Sequence, residues 1–231
     1  MEIHIGEKWG KRYDNFRYYI PFKIKYGIKF HDFRKHGEIL VHPTMYDEAS
    51  FIPLENDIIF DIGSQYGDYG LLWEKRNKAL VYAFEGLKNN FDEMQIDLKL
   101  NKSHINSYNK FIGNGGFISY DEHGNMARMA ETSMPDVPTM KIDEFVFENN
   151  VVPSIMKIDV EGFEYQVLEG SNKTIEMFHP RITIETHSRE LRKKCDEFLV
   201  NHGYALKYEG RTVRGKDWMD EVVNLFYGVK K

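Results

Sequence analysis

The chain reads as an α/β protein in which a mainly parallel sheet is covered by helices on both faces, behind a basic N-terminal extension. Three observations point there. From Asp57 onward, short apolar runs suited to strands alternate with segments of helical period, the pattern of a sheet wound with helices. The first such run ends D-I-G-S-Q-Y-G, a glycine-bearing turn into a helix. Between Pro153 and Gly170 a second run presents Lys157, Asp159 and Glu161 among the apolar residues Ile155, Met156, Ile158 and Val160. Side chains alternate along a strand, so the three ionisable groups start on one face. Charges seldom enter a core unless paired or used, so this run marks the carboxyl end of a central parallel strand opening into a site. A buried ion pair between Lys157 and a carboxylate is the plainer reading, and it is compatible with a site.

The elements follow in order. Asp57 to Ile62 is a buried first strand, Asp68 to Arg76 a helix, and Ala79 to Glu85 a second strand. Leu87 to Asn101 is a helix with Phe91, Met94 and Leu98 on one side, and Ile105 to Ile112 a third strand. Gly113 to Gly116 turns the chain towards a short hairpin, and a loop is expected from about Glu122 to Pro138, as a lid or acceptor-binding element or as disorder. Ile142 to Asn149 is a short helix, Ser154 to Asp159 the central strand, Phe163 to Met177 one helix and Arg181 to Thr186 a fifth strand. Ser188 caps a helix that buries Leu191, Cys195, Phe198 and Leu199 before Gly203 stops it. Tyr204 to Tyr208 and Val222 to Val229 are two last strands, antiparallel to each other.

With 231 residues, 42% of them hydrophobic, the chain can bury a full core, and it divides into an extension over residues 1–50 and a main domain over 51–231. The single cysteine, Cys195, excludes an internal disulfide framework and a cysteine-based zinc cluster, and fits a cytoplasmic location. No stretch approaches the roughly 18 apolar residues of a membrane span, and the first ten residues lack the apolar core of a signal peptide. Charge is unevenly spread: Lys8 to His36 holds nine Lys and Arg against Asp14 and Asp32, a net of +7 in a chain of net charge -5. With Tyr13, Phe16, Tyr18 and Tyr19 interleaved, this basic arm suits an anionic partner such as a nucleic acid. The competing reading is a structural strand, since Phe22, Ile24, Tyr26, Ile28 and Phe30 fall at period two with Lys23, Lys25 and Lys29 opposite.

The glycine turn holds Asp61, Gly63 and Gly67 ahead of a helix start, where free N–H groups face a ligand. Glu85 ends the second strand 24 residues after Asp61, where an acid can accept both ribose hydroxyls of an adenosine. The loop lacks the Gly-x-Gly start that cradles a pyrophosphate, and Asp61 would repel one. An ammonium suits Asp61 better, so the expected cofactor is S-adenosylmethionine (SAM).

Over roughly Asp57 to Tyr208 the chain resembles the FkbM family of SAM-dependent methyltransferases. The resemblance rests on D-I-G-S-Q-Y-G-D-Y (61–69), A-F-E-G (83–86), L-K-L-N (98–101), T-M-K-I-D-E-F (139–145), K-I-D-V-E-G-F-E-Y-Q-V-L-E-G (157–170) and I-T-I-E-T-H (182–187). It implies the class I methyltransferase fold, a Rossmann-like sheet. It also implies that Asp61, Gly63, Ser64, Gln65, Tyr66 and Gly67 line the methionyl end of SAM, with Glu85 on the ribose and Gly86 beside it. The family usually has Asn where Gln65 stands and Pro where Gly86 stands. Its members mostly look like O-methyltransferases, so the expected acceptor is a hydroxyl of a sugar, glycan or related small molecule. A base helps remove the hydroxyl proton, and His187, with an ordinary imidazole pKa near 6.5, is the first choice. Asp159 and Glu161 would orient His187 or the hydroxyl, and Lys157 would neutralise them. No metal is expected, although Asp159, Glu185 and His187 offer a divalent ion oxygen and nitrogen ligands. A nucleic-acid methyltransferase and a non-catalytic SAM- or nucleotide-binding module are the alternatives.

Overall fold

The computed structural model describes residues 26–31, 52–123, 126–129, 137–210 and 224–230. In chain order the elements are β1 (Ile58–Ile62), α1 (Asp68–Asn77), β2 (Leu80–Phe84), α2 (Lys88–Leu100), β3 (Asn106–Tyr108), β4 (Phe117–Ile118), β5 (Tyr120–His123), β6 (Met126–Met129) and β7 (Val137–Pro138). They continue with α3 (Ile142–Asn149), β8 (Ile155–Ile158), α4 (Glu164–Gly170), α5 (Asn172–Phe178), β9 (Arg181–Thr186), α6 (Arg189–Asn201), β10 (Tyr204–Gly210) and β11 (Asn224–Lys230).

Seven strands make one sheet in the order β10-β11-β9-β8-β1-β2-β3. The pairs β1·β2, β2·β3, β1·β8 and β8·β9 are parallel, so their carboxyl ends share one edge. The order runs outward from β1 in one direction and from β8 in the other. The chain therefore reverses between these two strands, and a crevice opens above their carboxyl ends.

Alternation along the strands divides the core into two layers. Ile59, Val81, Ala83 and Ile155 meet Leu71, Leu72 and Trp73 of α1 and Met94 and Leu98 of α2 on one face. Phe60, Ile62, Phe84, Met156, Ile158, Ile182 and Ile184 meet Ile142 and Phe145 of α3, Val167 and Leu168 of α4, and Cys195 and Leu199 of α6 on the other. Each large apolar side chain withdrawn in this way contributes about 1.5–3 kcal/mol, which is why the central strands read as apolar runs broken only by Asp61 in β1 and Lys157 in β8. The Ser188 hydroxyl accepts the Leu191 N–H at 3.1 Å and caps α6 as expected.

Several expected elements differ. The helix foreseen over Phe163 to Met177 is two helices, α4 and α5, broken at Ser171. At Gly170, the last residue of α4, a Cβ would stand 1.9 Å from the Gly113 carbonyl oxygen, so the glycine lets that backbone pack against the helix end. The strand foreseen over Ile105 to Ile112 is only Asn106–Tyr108. Within the expected loop after Glu122, β6 pairs with β5 and β7 pairs with β4. The last strand pairs antiparallel with β10 as expected but also inserts between β10 and β9.

The described part of the extension, residues 26–31, is not a strand. Gly27 takes a left-handed φ of 65° and interrupts the extended run. Ile28 is buried in the α1–α2 layer, and the backbone of Lys29 exchanges two hydrogen bonds with the Asn101 amide. The alternation thus reports which side chains dock, not a ladder. The remaining residues of the basic arm, Lys23 and Lys25 included, lie outside the described residues. No helix among the described residues is long and apolar enough to cross a membrane.

Gly170→Ala should lower unfolding stability by about 2–3 kcal/mol in urea melts, because the added methyl has to displace the Gly113 backbone.

Candidate active site

The site is organised around a buried cation. Lys157, only 3% exposed, stands on β8 directly opposite Asp61 of β1. Its ammonium pairs with Asp61 at 3.2 Å and donates to the Gly63 carbonyl at 2.6 Å. An oxygen of Asp159 lies 3.9 Å away. Burial raises the Asp61 carboxyl pKa, and the Lys157 charge opposes that rise. The ion-pair reading of Lys157 holds, and the pair forms the floor of a cleft. Gly63 brings the two strand ends together: its φ is 77°, and a Cβ there would meet the Asp159 carbonyl oxygen at 1.7 Å. Glycine at this position is required by backbone contact with the neighbouring strand end.

The cleft lies above β1, β2 and β8. Its wall includes Gly63, Ser64, Gln65, Glu85, Gly86, Lys157, Asp159 and Glu161. Asp61, Tyr66 and Gly67 do not line it: Asp61 is 1% exposed beneath the wall, and Tyr66 is buried. Pairing with Lys157 turns the Asp61 carboxylate into the sheet, beneath the cleft wall. Gly67 takes a φ of 76° just before α1, where a Cβ would press on Met94.

Glu85 projects from the end of β2 and accepts the Gln65 N–H at 2.7 Å and the Leu87 N–H at 2.8 Å, one on each carboxylate oxygen. It thereby holds together the two loops that form one end of the cleft. Burial pushes its pKa up to about 7, against the pull of those two N–H groups. Gln65 has a left-handed φ of 50°, a conformation that Asn tolerates better than Gln. At Gly86 a Cβ would lie 2.2 Å from the Phe111 ring, so the glycine makes room for that ring against the backbone.

At the other end, the chain leaves β8 and bends sharply at Glu161 and Gly162, with φ values of 52° and 111°. This turn, rather than strand alternation, sets Glu161 beside Asp159. His187, just past β9, enters the same group. Its Nδ1 bonds Glu164 Oε1 at 2.8 Å, and its Nε2 stands 3.7 Å from Asp159 and 3.5 Å from Glu161. Glu164, at the start of α4, is fully buried and also receives the Gly162 N–H at 3.0 Å. Burial works to lower the His187 pKa. The hydrogen bond to Glu164 and the charges of Glu164, Asp159 and Glu161 outweigh it and hold the imidazole well above 6.5. The ordinary imidazole on which a base role at neutral pH was expected is therefore not what the fold provides.

The sequence reading missed Glu164 and several lining residues, among them Asp68, Tyr69, Asn90, Lys110, Phe111 and Phe163. Asp68 follows the glycine turn directly and had a signal in its place at the helix start. Lys110 and Phe111 follow a strand too short to announce them. Among the described residues, the group whose ligand atoms converge is Asp159, Glu161 and His187, within 4.8 Å of one another, and it does not include Glu185.

A seven-stranded sheet with one inserted antiparallel strand and a cleft above β1 and β8 is the class I methyltransferase fold. A model of the FkbM methyltransferase domain matches residues 61–206, and the chain belongs to that family. Hexuronic acid methyltransferase AglP of Haloferax volcanii is 27% identical over 159 residues, which are 66% of this chain and 63% of the relative. The chain thus spans less than two thirds of that relative's length. Methyltransferase FkbM from Methylobacillus flagellatus superposes with a TM-score of 0.56 at 14% identity, covering 94% of this chain and 60% of that one. A precorrin-6y C5,15-methyltransferase from Geobacter metallireducens gives 0.52 at 12% identity, covering 77% and 82%.

Lys157→Met should cost about 3–5 kcal/mol, because Asp61 keeps a buried charge without its cation. Adding Asp61→Asn should recover much of that loss, and a double-mutant cycle in denaturant checks both. Glu85 takes up its proton at about 7 when folded, against 4.5 when unfolded, so the folded state binds that proton more tightly. Its contribution to stability should therefore fall as pH rises from 4.5 to 7. Glu85→Gln should remove this slope from the difference between wild-type and variant unfolding free energies.

Proposed function

We propose that the protein is a SAM-dependent O-methyltransferase acting on a hydroxyl of a sugar or glycan. The observation that carries this reading is a single cleft with the Glu85 carboxylate at one end and Asp159 and Glu161 at the other, above the strand reversal. The donor set fits an adenosine. Each Glu85 oxygen takes one backbone N–H and the Asn90 side chain adds a further hydrogen bond, which leaves acceptor capacity on the carboxylate for a ribose hydroxyl. Ile112, Phe111 and Leu87 supply apolar surface near it. Ser64, Gln65 and Asp68 also line the cleft and would hold the methionyl portion.

When bound, SAM supplies an electrophilic methyl group on a sulfonium. The remaining work belongs to the protein. Asp159 and Glu161 accept hydrogen bonds from the acceptor and fix its oxygen in line with that methyl, and this alignment supplies a large share of the rate. Asp159 would take the proton that the acceptor hydroxyl gives up when its oxygen replaces the sulfonium sulfur on the methyl carbon. His187, its pKa raised by the neighbouring carboxylates, keeps Asp159 and Glu161 in place, with Glu164 locking the ring. Lys157 binds the Gly63 carbonyl and flanks the Asp159 carboxylate at 3.9 Å. The likeness to a hexuronic acid methyltransferase supports a sugar, and within that class a uronic acid, as acceptor.

SAM and S-adenosylhomocysteine should each raise the melting temperature, and Glu85→Ala should weaken SAM binding about tenfold to a hundredfold through lost charge-assisted hydrogen bonds. Mass spectrometry of a panel of sugars should then show a gain of one methyl on a hydroxyl. A thermal shift with NAD and none with SAM would overturn the cofactor, and methylation of RNA or DNA with no sugar product would overturn the acceptor.

A further inference from the structure

We propose that Asp159, Glu161 and His187 bind one divalent first-row transition-metal ion, Mn2+ in first place, at the acceptor end of the cleft. The ligand atoms of all three residues lie within 4.8 Å of one another, and all three side chains are half-buried. The Nε2 separations of 3.5 and 3.7 Å are long for hydrogen bonds. An ion bound at ~2.1 Å sets neighbouring ligands ~3.0 Å apart in an octahedral shell and ~3.4 Å apart in a tetrahedral one, so the three atoms have only to draw in slightly. Small side-chain movements would close the three atoms onto a shared centre.

An independent feature points the same way. His187 Nδ1 is held at 2.8 Å by Glu164, a carboxylate with no solvent exposure. A buried carboxylate on the far nitrogen is the arrangement that fixes the tautomer and aim of a metal-binding histidine. Here it directs Nε2 at Asp159 and Glu161. The backbone reinforces the geometry: the left-handed turn at Glu161 and Gly162 returns the Gly162 N–H to the same Glu164 oxygen.

Lys157 does not stand in the way. Its ammonium faces Asp159 Oδ2, whereas His187 faces Oδ1, and it is already committed to Asp61 and the Gly63 carbonyl. One nitrogen and two carboxylates form a mixed, moderately hard set that suits Mn2+ better than the all-oxygen ions Mg2+ and Ca2+. Three protein ligands leave positions open, and Asp159 and Glu161 line the cleft, so an acceptor oxygen can complete the shell. Only this last role depends on the proposed methyl transfer.

The test is Mn2+ titration of the metal-stripped full chain, followed by electron paramagnetic resonance and calorimetry. Wild type should bind one ion saturably at micromolar concentration. Glu161→Gln and His187→Gln should each weaken binding at least tenfold, Glu164→Gln should weaken it by moving His187, and Glu185→Gln should leave it unchanged. Circular dichroism establishes that each variant is folded. Absence of saturable binding by wild type, or equal binding by folded Glu161→Gln and His187→Gln variants, overturns the proposal. SAM binding measured with EDTA present tests the cofactor assignment separately, so failure of one reading is distinguishable from failure of the other.

Discussion

Everything around the cleft depends on one buried cation. Lys157 is placed where water cannot solvate it, so it has to be satisfied by the strand ends themselves. It takes the carboxylate of Asp61 on the adjacent strand, the carbonyl of Gly63 just beyond, and the flank of Asp159. These contacts tie β1 to β8 at the point where the order of the sheet reverses. The close approach of Gly63 to the Asp159 carbonyl follows from the same tie, and it leaves no room for a side chain. A neutral residue at 157 would stabilise neither the buried carboxylate nor the loop carbonyl.

On that floor the protein sets two carboxylate systems of opposite character. At one end Glu85 is buried among two backbone N–H groups and the Asn90 side chain, and its elevated pKa records that burial outweighs them and the charge of Lys157. At the other, Asp159, Glu161 and Glu164 surround one histidine, whose proton they hold firmly. The first is suited to neutral hydroxyls, which donate to a carboxylate without needing its charge cancelled. The second concentrates negative charge around a single nitrogen, and a cation is what such a cluster favours, whether a proton or an ion.

The fold was legible because its signals are local. Short apolar runs identified β1, β2, β8 and β9, and helical spacing identified the face of α2 that buries Met94 and Leu98. Gly203 and Ser188 marked real boundaries. Errors came where a distant contact overrode local preference. Nothing near Gly170 announces that the Gly113 backbone will pack against it or that the helix breaks at Ser171. The alternation from Tyr26 to Phe30 reads as a strand, but hydrogen bonds to Asn101 make it a docked segment. The insertion of β11 between β9 and β10 joins segments whose pairing no local pattern encodes.

The candidate site divides in the same way. From the sequence alone came the types of residue and their neighbourhood: a glycine turn, an acid at the end of the second strand, a charged run at the end of the central strand and a histidine after the fifth. These are set by residue chemistry and by the period of the strand. Only the tertiary structure decided what each charge faces. It turned Asp61 inward to Lys157, brought Glu161 to Asp159 through a left-handed turn, and placed Glu164 behind His187. The reason is physical: pairing and pKa depend on separations of a few ångströms between residues far apart in the chain, and those separations exist only once the strands have registered.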